Sequence, residues 1–283
     1  MTRGGRLTPL LRRRALTYPY DCQYRPQIMT GGGFLKPVIA DWPDQAMWPS
    51  IVAGRRATLA IGSNRSARQL ARKFVGWPDP LAIPIWPVLV HDLDVHFAAS
   101  IGHYGAIPAT PYPWPGVRCA MMLVWLTERE FARMDETEGL GVAYDKFWLP
   151  TRVDQALPSA LRASLSTVAI YRHRAGTIAR PSQRSIGMAE LPVRGGPGLR
   201  LDQRAMQRWL RDRLAPGLSL NGFITSNIID PAQRHARIKQ LGRLTVPPWQ
   251  PSHGGLGTVA KLPAPIRLDC LLSTQGLGVM NPP

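Results

Sequence analysis

Residues 126–139 have the sequence LTEREFARMDETEG, and this stretch predicts a helix with clear signals at both ends. Thr127 and Glu130 have the spacing of a capping box, in which each side chain accepts a hydrogen bond from the other residue's backbone N–H at a helix start. Gly139 suits the left-handed residue that commonly follows the last turn of a helix. The apolar run just before the stretch, residues 120–125, predicts a strand that leads into it.

Glu138 is the most informative residue of this predicted helix. Phe131, Met134 and Glu138 follow one another at intervals of three and four residues, so they share one face. Phe131 and Met134 are expected to face the core, and Glu138 with them. Burial and the negative end of the helix dipole both disfavour an ionised carboxylate, so we expect the pKa of Glu138 to be raised.

An acid with a raised pKa suits proton transfer, which makes Glu138 a candidate catalytic residue. The alternative is a structural acid paired with an arginine, since such pairs also perturb pKa values. Asp135, about 40° from Phe131 on the helical wheel, is a second candidate acid.

A second informative segment lies upstream, at residues 57–69. The run ATLAI at residues 57–61 predicts a buried strand, and Gly62, Ser63 and Asn64 interrupt it. The capping-box spacing of Ser66 and Gln69 then predicts a helix start. A strand, a glycine turn and a helix start together form an anion-binding arrangement, because the first N–H groups of the helix point at the ligand. The alternative is an ordinary turn.

Composition narrows the class of protein. The chain has 283 residues, which is enough for one core of 150–200 residues with extensions. Its formal net charge of +17 favours an anionic partner. The three cysteines are widely spaced and form no CxxC pair, so neither a disulfide framework nor a zinc site is indicated, and a cytoplasmic location is expected.

No secretory signal or membrane span is expected either. Five arginines occur within the first 14 residues, but no apolar segment follows them. The most apolar run, residues 81–90, is short and interrupted by proline.

Three regions are predicted along the chain. Residues 1–50 lack periodicity and are expected to form an irregular arginine-rich arm, partly folded over the core. Residues 51–215 are expected to form the core, and residues 216–283 a loop-rich extension. Within the core, strands are predicted at residues 88–95, 119–126 and 166–171, and a helix at residues 201–214.

The sequence HDLDVH at residues 91–96 has metal-ligating residue types but the wrong spacing for a site. On a strand, His91 and His96 face opposite sides, whereas Asp92, Asp94 and His96 share one face. No metal site is predicted there.

Several of these segments, in order, resemble the gamma-glutamylcyclotransferase family. Residues 60–64, AIGSN, are similar to the Tyr-Gly-Ser-Asn loop that follows the family's first strand. Residues 124–127, VWLT, and residues 134–139, MDETEG, followed by Tyr144, are similar to its strand, its helix with the catalytic Glu-Gly pair and its following tyrosine. Further similar segments are YGAIPAT at residues 104–110, AIY at residues 169–171 and the helix at residues 201–214.

The resemblance spans roughly residues 57–214 and implies both fold and chemistry. It implies a small mixed β-barrel or sheet flanked by helices, in the α+β class. It implies cyclisation of a γ-glutamyl compound to 5-oxoproline with release of an amine or amino acid, with no metal or organic cofactor. Glu138 would be the catalytic residue, and Ile61, Gly62, Ser63, Asn64 and Tyr144 would bind the small-molecule substrate. One position departs from the family pattern: Ile61 stands where the loop tyrosine is expected, so a ring and a hydroxyl are lost there.

Two other functions remain as alternatives. The net charge, the arginines at residues 12–14 and the basic face of the helix at residues 201–214 would suit a nucleic-acid-binding protein. We favour the enzyme because no helix-turn-helix, zinc-finger or RNP signature accompanies these charges. A catalytically inactive scaffold is the other alternative. The sequence does not specify an oligomeric state.

Overall fold

The computed structural model describes residues 9–33, 35–41, 45–153, 157–180, 185–196, 198–250 and 266–270. The helices within these ranges are α1 (Pro9–Leu16), α2 (Trp48–Val52), α3 (Ala67–Lys73), α4 (Glu128–Glu138), α5 (Ser159–Ala163), α6 (Gln203–Leu214), α7 (Leu220–Ile229) and α8 (Pro231–Leu241). The strands are β1 (Gln27–Gly32), β2 (Leu35–Asp41), β3 (Arg56–Ala60), β4 (Leu81–Phe97), β5 (Ala109–Leu126), β6 (Tyr144–Val153), β7 (Thr167–His173), β8 (Thr177–Ile178), β9 (Gly187–Met188), β10 (Val193–Arg194), β11 (Arg200–Leu201), β12 (Thr245–Val246) and β13 (Ile266–Cys270).

Six of these strands close into a barrel. Their order is β5, β3, β7, β6, β13 and β4, and β4 pairs back onto β5. The antiparallel β4–β5 pair is the longest and runs from Ile85 opposite Val124 to Phe97 opposite Ala109. Closure leaves none of the six without a neighbour on either side, which removes the unpaired edges of an open sheet. The expected α+β class, with a small mixed barrel flanked by helices, is confirmed.

The β5 sequence explains why helices cover this barrel. Residues 119–126, CAMMLVWL, are all buried, so neither face of the strand meets water. Alternate residues such as Leu123 and Trp125 join one apolar cluster, whereas Met122 and Val124 join another. The second cluster also contains core residues of α3 and α4. A strand buried on both faces has a continuous apolar sequence, and here both faces are packed.

Helix α4 begins and ends as its sequence predicts. The side chains of Thr127 and Glu130 form both hydrogen bonds of the capping box, and Gly139 adopts the left-handed conformation with φ of 65°. Phe131 and Met134 are buried in the core. Helix α3 begins directly after Ser66, where a helix start was predicted. The second capping box itself is wrong, because the Ser66 side chain makes no capping hydrogen bond.

The first 50 residues contain more regular structure than their sequence indicated. Residues expected to form an irregular arm instead form α1 and the β1–β2 hairpin, and β1 pairs with β4. Tyr18, just after α1, is buried in the core. The β1–β4 pairing was missed because β4 lies about 50 residues further along the chain, beyond the reach of any local pattern.

The expected loop-rich extension also carries regular elements. Helices α7 and α8 follow residue 215, and β13 lies between β6 and β4 in the barrel. The domain boundaries at residues 50 and 215 remain predictions. Strands β1 and β2, before residue 50, and strand β13, after residue 215, belong to the same sheet as the barrel strands between them.

The HDLDVH segment contributes to packing at two separate places. Asp94 and His96 are fully buried and lie 3.1 Å apart, with Arg200 2.6 Å from Asp94 and Ser185 2.7 Å from His96. His91 instead pairs with Asp269 of β13. In the described ranges, no group of three or more His, Cys, Asp or Glu side chains could hold a metal ion. None of the helices in those ranges is both long enough and apolar enough to span a bilayer.

Candidate active site

A cavity of about 1000 Å³ lies at the end of the barrel where β3 and β7 end and β6 begins. The sequence-predicted residues Ile61, Gly62, Ser63, Asn64, Glu138 and Tyr144 all line it. The segment after α1 and the connection between β4 and β5 complete its wall. The fold therefore brings together two motifs that are more than 70 residues apart in the sequence.

The loop after β3 lines this cavity and forms a short turn. Residues 63–65 form a single 3₁₀ turn, in which the Arg65 N–H donates to the Gly62 carbonyl at 3.1 Å. The N–H groups of Gly62, Ser63 and Asn64 come before this first bond and have no partner within the turn. Helix α3 has only seven residues, so the anion-binding character of this loop depends on the turn rather than on a long helix.

Gly62 is required by the close approach of Tyr18. A Cβ atom at residue 62 would lie 2.5 Å from the Tyr18 hydroxyl oxygen and 3.3 Å from the Ala109 Cβ. The first of these distances is well below the van der Waals contact distance between a carbon and an oxygen atom. The N-terminal segment therefore packs directly against the glycine loop.

Glu138 lies at the C-terminal end of α4 and contacts the loop directly. Asn64 Nδ2 donates a hydrogen bond of 2.9 Å to Glu138 Oε1. The Lys73 ammonium, at the C-terminal end of α3, forms an ion pair with the same oxygen. Arg133 Nε donates to the Lys73 carbonyl at 2.9 Å and so ties the end of α3 to the middle of α4.

The Lys73 ammonium is a partner of Glu138 that the sequence did not predict. Both side chains are 15% exposed, so water screens this pair less than it would on the surface. Glu138 is thus partly exposed to the cavity, paired with Lys73 and positioned by Lys73 and Asn64.

Two tyrosine hydroxyls hold the start of β5 at the cavity wall. The Ala109 N–H donates to the Tyr18 hydroxyl at 2.9 Å, and the Tyr144 hydroxyl donates to the Ala109 carbonyl at 3.3 Å. Burial raises the pKa of both tyrosines, and the charge of Glu138 adds to this effect. Both phenols therefore stay protonated at neutral pH.

His173, at the end of β7, is a neutral neighbour of Tyr144. Burial lowers the pKa of His173 to about 4. Its Nδ1 accepts a hydrogen bond from the Ala175 N–H at 3.1 Å, and its ring lies edge-on to Tyr144 with 4.8 Å between ring centroids. Among the described residues, Glu138 is the only acid on the cavity wall.

Asp135, the second candidate acid, has a structural role instead. Its carboxylate accepts the Tyr171 hydroxyl and pairs with Lys146, and it does not line the cavity. It joins α4 to β7 and β6.

The sequence reasoning missed Lys73, Tyr18 and His173. Lys73 is 65 residues from Glu138 in the chain, and Tyr18 is 91 residues from Ala109. No local pattern marks such contacts, because they form only when separate elements meet.

No protein-family model and no curated protein matches this chain. Two solved structures resemble it distantly. One is an uncharacterized human protein, with a TM-score of 0.33 and 13% identity over 72% of this chain and 95% of that one. The other is a gamma-glutamyl cyclotransferase, with a TM-score of 0.31 and 12% identity over 72% of this chain and 94% of that one.

Proposed function

We propose that this protein converts a γ-glutamyl compound to 5-oxoproline and a free amine or amino acid, with Glu138 as general base and then general acid. The observation that carries the proposal is the 2.9 Å hydrogen bond from Asn64 to Glu138 inside the cavity. It joins an acid suited to proton transfer to a loop suited to anion binding. The AIGSN and MDETEG motifs point to the same pair of elements.

The substrate's α-carboxylate would bind the N–H groups of Gly62, Ser63 and Asn64. Backbone amides directed into one concave site favour an anion there. With the carboxylate held, the α-amino group lies close to the substrate's own γ-carbonyl. Positioning two reacting groups in this way lowers a barrier by up to about 7–11 kcal/mol.

The chemistry then requires two protons to leave the α-nitrogen. Glu138 takes the first from the α-ammonium, and the freed amine attacks the γ-carbonyl carbon, forming the ring C–N bond. Glu138 delivers this proton to the departing nitrogen as the original amide C–N bond breaks, and then takes the second proton from the ring nitrogen and passes it to the released amine, which leaves as an ammonium. The Lys73 ammonium and the Asn64 side-chain amide both contact Glu138 Oε1 and so position the carboxylate.

The Tyr18 and Tyr144 hydroxyls and the neutral ring of His173 give this centre uncharged polar neighbours. Tyr18 also brings a ring and a hydroxyl beside Gly62, where the loop itself carries Ile61. We infer that the N-terminal segment supplies the aromatic group that the loop lacks.

Glu138→Gln tests the proposal because it keeps the shape of the side chain and removes the base. We expect the rate of 5-oxoproline formation to fall about 100-fold or more, as is typical when a general acid–base residue is lost. The measurement is 5-oxoproline release from a panel of γ-glutamyl dipeptides and γ-glutamylamines, with circular dichroism to verify folding.

Glu136→Gln is the matched control on the same helix. Glu136 pairs with Arg133 at 2.6 Å, is mostly exposed and lies outside the cavity. This variant should keep the parental rate. A folded Glu138→Gln protein with the parental rate would show the assignment to be wrong, and no product from any substrate would favour the inactive scaffold.

A further inference from the structure

The cavity carries far more positive than negative charge. The cationic side chains on its wall are Arg14, Arg72, Lys73, Arg133, Arg174 and Arg234. Lys73, Arg133 and Arg174 have carboxylate partners. Arg14, Arg72 and Arg234 have no carboxylate within ion-pair distance among the described residues. A concave site with this imbalance attracts anions.

Two of these arginines, neither of which has a carboxylate partner within the described ranges, line the cavity together with His103. Arg14 comes from α1, Arg234 from α8 and His103 from the connection between β4 and β5. The pKa of His103 is lowered by burial first, and then by the charges of Arg14 and Arg234. Two guanidinium groups therefore act on the same imidazole.

The cluster formed by Arg14, His103 and Arg234 lies beside the reaction centre. The Arg14 guanidinium lies over the Tyr104 ring at 5.3 Å, and the charges of both Arg14 and Glu138 act on the Tyr104 hydroxyl. A substrate whose γ-carbonyl is at Glu138 can thus extend its released portion towards the cluster across Tyr104.

We propose that the released portion of the γ-glutamyl substrate is a dianion, such as a dicarboxylic amino acid, and that Arg14 and Arg234 bind its two negative groups. This inference rests on the proposed function and specifies its substrate class. A dianion suits this wall because it can place one negative group at each of two guanidinium groups that come from separate elements, α1 and α8. Arginine also suits carboxylates because its N–H groups can bind both oxygens of one carboxylate.

The test compares two substrates of nearly identical shape, γ-glutamylglutamate and γ-glutamylglutamine. They differ only in the charge of the released residue's side chain. We expect kcat/KM to be about tenfold higher for γ-glutamylglutamate, which corresponds to about 1.4 kcal/mol. One of Arg14→Gln and Arg234→Gln removes the partner of the side-chain carboxylate and should bring this ratio towards one. The other removes the partner of the α-carboxylate, which both substrates carry, and should lower kcat/KM for both by the same factor. An unchanged ratio in both variants would overturn the inference.

Arg208→Gln is the matched control for charge. Arg208 is exposed on α6 and lies outside the cavity, so its replacement should leave the ratio unchanged. An equal effect in this variant would mean that net charge alone sets the preference, which would overturn the inference.

A binding measurement separates failure of this inference from failure of the proposed function. Calorimetry on Glu138→Gln should give about tenfold tighter binding of γ-glutamylglutamate than of γ-glutamylglutamine. Equal dissociation constants would overturn the inference and leave cyclisation intact. If the parent protein forms no 5-oxoproline while the binding preference holds, the proposed reaction fails and the dianion site stands.

Discussion

At the residue scale, the Lys73–Glu138 ion pair positions the candidate base at the cavity wall. The pair is formed by the last residues of two helices, and Asn64 bonds the same carboxylate oxygen. Lys73 touches Glu138 rather than the place proposed for the reacting atoms, so we regard it as a positioning residue. Removing it would leave Glu138 without its cation and, among the described residues, held by the Asn64 hydrogen bond alone.

Lys73→Met should therefore lower the rate of 5-oxoproline formation by about tenfold or more, since it removes a charge-assisted hydrogen bond to the base. Lys73→Arg should recover a large part of that rate, because it restores a cation of similar reach. Steady-state kinetics of the two variants measure this difference. Lys239→Met, on the exposed side of α8, is the control and should match the parent. Equal activity of the Met and Arg variants would contradict the role of the charge.

At the scale of elements, β13 shows how far the barrel extends along the chain. This strand pairs with β4 on one side and β6 on the other, although it lies near the C-terminal end of the sequence. Leu268 is fully buried in the main apolar cluster, whereas Arg267 beside it is exposed. Successive side chains of a strand point to opposite faces, so Arg267 lies at the surface and Leu268, the next residue, lies in the core.

Leu268→Asn should lower the free energy of unfolding by about 2–5 kcal/mol, because it removes a buried side chain and buries an amide in its place. Arg267→Asn should change that free energy by no more than about 0.5 kcal/mol. Urea unfolding followed by tryptophan fluorescence measures both values. If the two variants are equally stable, β13 is not part of the folded barrel.

At the scale of the whole molecule, a fall in pH and the large positive net charge both destabilise the folded state. The formal net charge is already +17, so further protonation adds to self-repulsion. Burial lowers the pKa of His96 and of His173, which lie at different places in the fold. The folded chain therefore holds both rings neutral where the unfolded chain would protonate them.

The sign of the pH dependence follows from this difference. Between the unfolded value of about 6.5 and the folded value of about 4 for His173, the unfolded state binds the extra proton. Stability is therefore full above about pH 6.5 and is lost as the pH falls towards 4. His173→Gln should reduce the slope of unfolding free energy against pH near pH 5 by up to about 1.4 kcal/mol per pH unit. Denaturant titrations at a series of pH values measure the slope, and an unchanged slope would show that His173 does not titrate in this way.

Local patterns predicted α4 well and parts of the site, because their causes lie within a few residues. The capping box at Thr127, the stop at Gly139 and the apolar stripe of Phe131 and Met134 all depend on neighbours along the chain. The same reasoning placed Glu138 on the inward stripe. It failed for β1, whose partner β4 lies about 50 residues further along.

The sequence by itself determined the helix that carries Glu138, the glycine loop that ends β3 and the strands buried on both faces, because periodicity and capping act locally. Only the tertiary structure decided that Lys73 pairs with Glu138, that Tyr18 packs against Gly62 and that β13 closes the barrel. Each of these contacts joins residues more than 40 positions apart. They form only when the barrel closes and the helices pack on it, so no window of neighbouring residues specifies them.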